Sequence, residues 1–199
     1  MPSPSAAKFL VAVDRATVLY RAAGDSRLRP QATTDKEALC HAALTALVAA
    51  WNAYVGNVIA DYFAATANPT DARFNLAHTL AKSHADKLVE KFNTPNWENS
   101  RNLIAHCTGY DPINDWVWAS GGLTGFEVRT RLNEILKLRH SFAHGFQIPT
   151  YGWIQFSSGR VVLTKAAVGK TTNLIRYLVL QTDRGLAFHV RNVFSLVAW

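Results

Sequence analysis

The chain has 199 residues, enough for one hydrophobic core and short for two independent ones. Apolar residues make up 49% and charged residues 18%, which excludes a disordered chain. A net charge of +7 and a pI of about 9.6 favour polyanionic partners such as nucleic acid or anionic lipid, a bias that many basic proteins share without such a partner. The basic residues are scattered, and no run of five or more makes a basic tail.

In chain order, residues 5–22 read as a first helix, with Phe9, Leu10, Val13, Val18 and Leu19 at roughly helical spacing. A polar, basic linker follows over 26–33, punctuated by Gly24 and Pro30. A long helix is expected over about 35–66, opened by a capping box of Thr34 and Glu37. Its broad apolar face holds Leu44, Leu47, Val48, Trp51, Val55, Val58, Ile59 and Tyr62, and Asn68 and Pro69 end it. A third helix is expected over about 71–92, with Leu76, Leu80, Leu88 and Phe92 facing inward. Pro95 opens a shorter helix to about Cys107, stopped by Gly109. Glycines 121, 122 and 125 make 115–125 a loop.

A long helix then spans about 126–144, terminated by Gly145, with Pro149 blocking continuation. Residues 151–164 switch to period-two patterning around Ser157-Ser158-Gly159, as in a short β-hairpin. Two helices, about 171–181 and 183–198, close the chain, with Thr171 or Thr172 as a cap. The class is all-α with a minor hairpin. We read 1–30 as an N-terminal helix and linker and 31–199 as the main helical domain, one globular unit overall.

Cys40 and Cys107 form no CxxC pair and lie in apolar helical contexts, which suits a reducing cytoplasm. Residues Met1 to Ser5 carry no signal-peptide pattern. No run of 18 uninterrupted apolar residues suggests a membrane partner. Cys40-His41 and His106-Cys107 lack zinc-ligand spacing, so no metal is expected. Gly169-Lys170-Thr171 resembles the end of a phosphate loop, but Thr164 stands where its first glycine belongs.

The informative stretch is Leu132 to Gly145. On a helix, residues four apart share a face, so His140 and His144 stack in one row with Asn133 and Lys137. Arg139 stands beside that row, near Leu136 and Ala143, while Leu132, Ile135, Leu138 and Phe142 form the core stripe. One reading is structural: cations in a last turn complement the helix dipole by roughly 0.3–1 kcal/mol each. The other is chemical. A ribose 2′-hydroxyl can attack its own phosphate if a base, an acid and a positive charge are at hand. Histidine serves either proton role, and arginine grips phosphate oxygens. No metal is needed for this, and a symmetric dimer would join two such sets.

Arg139-His140-Ser141-Phe142-Ala143-His144 resembles the signature of HEPN nucleases: Arg, a polar residue, three residues, His. Leucines precede it and Gly145 follows, and the helix order with its trailing hairpin resembles the RiboL-PSP-HEPN branch. The resemblance implies an all-α, HEPN-like helical bundle over 31–199 that dimerises through the 126–144 helix. It also implies a metal-independent endoribonuclease without cofactor, leaving 2′,3′-cyclic phosphate ends. Arg139 would stabilise the phosphate, His144 would be general base or acid, and His140 would orient groups or share proton transfer. Lys137, Tyr151 and Trp153 are candidate RNA contacts, the aromatics by stacking on bases. A toxin or antiviral effector with a cognate antitoxin would fit. Some superfamily members only bind nucleotide, RNA or protein, and that remains the alternative.

A second motif has the same spacing: Arg101-Asn102-Leu103-Ile104-Ala105-His106. Its plain reading is a helix that buries Leu103 and Ile104, and both motifs facing one cleft is also open. Glu127 and Glu134 each could hold an arginine or serve in an exposed helical pair.

Overall fold

A computed structural model describes residues 1–25, 27, 33–68, 70–157 and 160–199. The expected linker, except Arg27 and Thr33, lies outside these residues, as do Pro69, Ser158 and Gly159.

Helix α1, Pro4–Ala22, opens with Ser3 accepting from the Ala6 amide and Pro4 in the first turn. Its first amides are also held by distant carboxylates: Ser3 N–H donates to Asp183 and Ser5 N–H to Asp61. Ala6, Phe9 and Val13 are buried, but Val18 is 62% exposed. Helix α2, Thr33–Ala65, begins one residue before Thr34, which therefore stands in its first turn. All eight apolar residues expected on its face are buried. By length and composition α2 matches a membrane span, although charged and polar residues interrupt its apolar runs. Here it is the axis of the bundle, and all five other helices pack on it.

Helix α3, Ala72–Glu90, is capped by Asp71. Leu76 and Leu80 do not face inward; they are 66% and 64% exposed. Ala85 carries the buried contact, with Leu88, Val89 and Phe92 packed beside it. Leu80 and Ala85 are five residues apart, about 140° round a helix, so one stripe cannot bury both. Helix α4, Trp97–Thr108, is capped by Asn96 and stops at Gly109, whose φ of 74° is left-handed. Trp51 ties the preceding turn down by donating to the Pro95 carbonyl.

The connector to α5 holds two short 3₁₀ turns, Pro112–Asn114 and Ala119–Gly121. Its Trp116 is fully buried and donates to the Thr182 hydroxyl. Helix α5, Gly125–His144, starts with a reciprocal capping box of Thr124 and Glu127 and ends at Gly145, φ 67°. Glu127 thus caps the helix start. Leu132, Ile135 and Leu138 are buried as expected; Phe142 is not, at 41% exposure. It lies flat on the buried His41 of α2, ring centroids 4.3 Å apart.

Strands β1, Gln155–Ser157, and β2, Arg160–Val162, pair antiparallel with Phe156 opposite Val161. The chain then closes with one helix, α6, Lys165–Phe194, and not with two. Thr164 is its cap, while Thr171 and Thr172 are buried inside it, their hydroxyls bonded to the carbonyls of Ala167 and Val168. The expected break near 182 is absent because Thr182 and Asp183 are buried and partnered. Gly185, also inside α6, makes room for a neighbour: a Cβ there would lie 2.0 Å from the Tyr110 hydroxyl and 2.6 Å from the Asp115 carboxylate. Trp199 folds back to donate to Asp183, the carboxylate that also holds Ser3.

Candidate active site

The motif row occupies the outward side of the last two turns of α5. Arg139, His140, Ala143 and His144 are all exposed, while the neighbouring Leu138 and Ser141 are buried. The two imidazoles lie against each other one turn apart, centroids 4.3 Å and planes tilted by 47°, and Phe146 lies near both at 5.6 and 5.7 Å. The turn at Gly145 allows this, because it folds Phe146 back over the helix end with its amide on the Ser141 carbonyl. Among the described residues, no salt bridge engages Arg139.

Arg139 and His140 border a cleft of about 790 Å³ between α2, the α3–α4 turn, α5 and the segment after it. Lys137, Asn133 and Tyr151 line the same cleft; His144 and Trp153 do not. Burial, with a smaller effect from Glu134, pushes the Tyr151 phenol above its ordinary value. Trp153 has a bracing role beside the cleft. Its indole donates to Glu134, 2.8 Å, and Arg131 lies 4.7 Å over its ring. Glu134 also pairs with Arg131 at 3.4 Å, the arginine partner open to it from the sequence.

The second motif is arranged otherwise. Leu103 and Ile104 are buried. The Arg101 guanidinium is clamped by Asp111, Nε donating at 2.8 and 3.1 Å and Nη2 making a further bond. That arginine holds the Asp111 carboxyl below the usual range, helped by the Ile113 amide. His106 is exposed. None of Arg101, Asn102 and His106 lines the cleft, so the two motifs do not share it.

Sequence reasoning missed the far wall of the cleft. Val48, Ala49 and Asn52 come from α2, and Asn93 to Asn96 from the turn before α4. Asn52 follows the buried Trp51 on an otherwise apolar face, a polar intrusion that was the available signal. Among the described residues, no three His, Cys, Asp or Glu side chains gather as a metal site. Both cysteines are free thiols; burial, with a smaller effect from Asp86, raises Cys107 to about 11, a poor nucleophile.

Five helices around a central long one, with an Arg-His-x3-His segment closing a late helix against a left-handed glycine, define a HEPN-superfamily domain. The family model RiboL-PSP-HEPN matches residues 22–184, and the chain belongs to that family. No curated protein and no solved structure matches the chain significantly.

Proposed function

We propose that the protein is a metal-independent endoribonuclease acting through Arg139, His144 and His140. One observation carries the reading: an arginine that pairs with no carboxylate among the described residues opens on a cleft beside two adjacent, exposed histidines. Arg139 grips the non-bridging phosphate oxygens. One imidazole takes the proton of the 2′-hydroxyl as its oxygen attacks phosphorus. The bond to the 5′-oxygen breaks, and that oxygen receives a proton from a second imidazole. The products are a 2′,3′-cyclic phosphate and a 5′-hydroxyl. Lys137 and Tyr151 hold the strand, and Trp153 is a more remote contact.

The working unit in this reading is a homodimer through α5. Phe126, at the start of that helix, and Phe146, just past its end, are 70% and 59% exposed, and Ala143 is exposed in its last turn. A second copy would cover these groups and join two motif sets on one phosphate. A role as toxin or antiviral effector, restrained by an antitoxin, accords with the family.

The test is to incubate purified protein with a small RNA in EDTA and to identify the new ends. Cyclic phosphate ends that form in chelator support the reading; loss of all cutting in EDTA, or 3′-hydroxyl ends, reject it. The cleft also suits a module that binds nucleotide or RNA without cutting, and that alternative requires binding with no new ends.

A further inference from the structure

The cleft beside Arg139 carries an unusual set of amides. Asn96 and Asn93 are already committed: Asn96 Oδ1 accepts from the Asn99 amide and Asn93 Oδ1 from the Thr94 hydroxyl. Asn52 and Asn133 differ. Each lines the cleft, and each has a side-chain carbonyl oxygen that is shielded from water and hydrogen-bonded to nothing. They come from different walls, Asn52 from α2 and Asn133 from α5. A buried acceptor without a partner is costly, so two in one cleft call for a ligand that donates. The terminal torsion of asparagine is soft, and a turn about it delivers either oxygen, or the NH₂ beside it, to the cleft.

We propose that this cleft is a recognition pocket for adenine, in an RNA strand or as a free nucleotide. The proposal deepens the ribonuclease reading, and rests on it for the position of the cut. Each asparagine offers an acceptor and a donor side by side, which complements an amino group next to a ring nitrogen. Adenine carries that pair on both sides of one amino group. N6 gives one hydrogen to each carbonyl oxygen, and N1 and N7 accept one from each NH₂. Cytosine has the pair on one side only. Guanine and uracil present a carbonyl there with one N–H beside it, so no more than one of the oxygens of Asn52 and Asn133 finds a donor. Tyr151, Leu136, Val48 and Pro149 supply apolar surface for the ring. Arg139 and His140 on the same cleft then receive the adjoining phosphate.

The test has two arms. In the first, the wild-type protein cuts a pool of random single-stranded RNA and the ends are sequenced. Adenine is expected at one fixed position beside the cut, enriched about tenfold or more over the other bases. In the second, AMP, GMP, CMP and UMP are titrated calorimetrically, with AMP binding about tenfold tighter than the rest. Asn52→Asp and Asn133→Asp keep the shape but remove the NH₂ donor, and each lowers both preferences. Circular dichroism checks their folding, and the wild-type arms stand without them. Preference in both arms assigns the pocket to the RNA strand; preference for AMP alone assigns it to free nucleotide. Even-handed cutting together with equal binding of all four nucleotides overturns adenine recognition and leaves the ribonuclease reading intact. Absence of any cutting sinks that reading, while the titration still decides the pocket.

Discussion

Two segments of this molecule share one spelling, Arg, four residues, His, and the fold treats them in opposite ways. At 101–106 the arginine faces the connector that follows its own helix, and Asp111 clamps it with three hydrogen bonds. At 139–144 no carboxylate among the described residues pairs with the arginine, which opens on a cleft. Both helices end at a left-handed glycine, so helix termination does not separate them. What does is whether the rest of the chain supplies a counter-charge. A guanidinium already neutralised and bidentately bound has little left to offer a phosphate.

The comparison breaks most sharply under mutation of the charged groups. Arg139→Ala or His144→Ala should lower the RNA-cleavage rate by about 10²–10⁴-fold with the circular dichroism spectrum unchanged. Arg101→Ala should leave cleavage near the wild-type rate. If Arg101→Ala is the variant that abolishes cutting, the assignment of the two motifs is reversed.

Next come the two glycines. Gly109→Ala and Gly145→Ala each force a left-handed alanine, and each should cost roughly 1–2 kcal/mol in urea unfolding. Only Gly145→Ala should also impair cleavage, because Phe146 and its contacts with the two histidines hang on that turn. Equal effects of both on cleavage would blur the contrast.

A smaller effect concerns the clamp itself. The Arg101–Asp111 side chains are 36% and 38% exposed, so solvent screens the pair. Arg101→Ala should cost about 0.2–1 kcal/mol. Asp111 is held below its usual range, so its share of stability is present at neutral pH. That share is lost as the pH falls through the folded value.

The smallest effect is on the other side of the contrast, under Phe142. Burial holds His41 below its ordinary 6.5. As the pH falls past that value the unfolded chain takes the proton first, so His41 contributes a loss of stability on acidification. His41→Phe keeps an aromatic ring against Phe142 and removes this loss. Chemical unfolding between about pH 8 and about pH 5 should show a shallower decline than wild type. An unchanged slope would mean that His41 titrates as freely as an exposed histidine.

Much of this was readable in advance, for local reasons. The α2 stripe, the glycine stops and the row of Asn133, Lys137, His140 and His144 follow from helical periodicity and from glycine's access to positive φ. What periodicity could not reach was which side of a helix meets a partner. Leu76 and Leu80 face solvent because α3 packs mainly on α2 and α4, through its other side. Thr171 and Thr172 resemble caps in sequence, yet buried threonine hydroxyls can bond to their own helix. For the candidate site, the motif helix was legible and the opposite wall was not. Asn52 and the 93–96 turn arrive from elsewhere in the chain, and no local rule joins them to α5. Asp111 escaped notice for the same reason, since its bond to Arg101 depends on how the connector turns after Gly109.

Gly185 extends the point from side chains to a missing one. The Tyr110 hydroxyl and Asp115 carboxylate occupy the space a methyl would need, so the connector is keyed into a notch on α6, one turn from where Trp116 bonds Thr182. That connector ends at Thr124, where α5 begins. Any side chain at 185 would therefore displace the connector that leads into the motif helix, far along the chain from the histidines that helix carries.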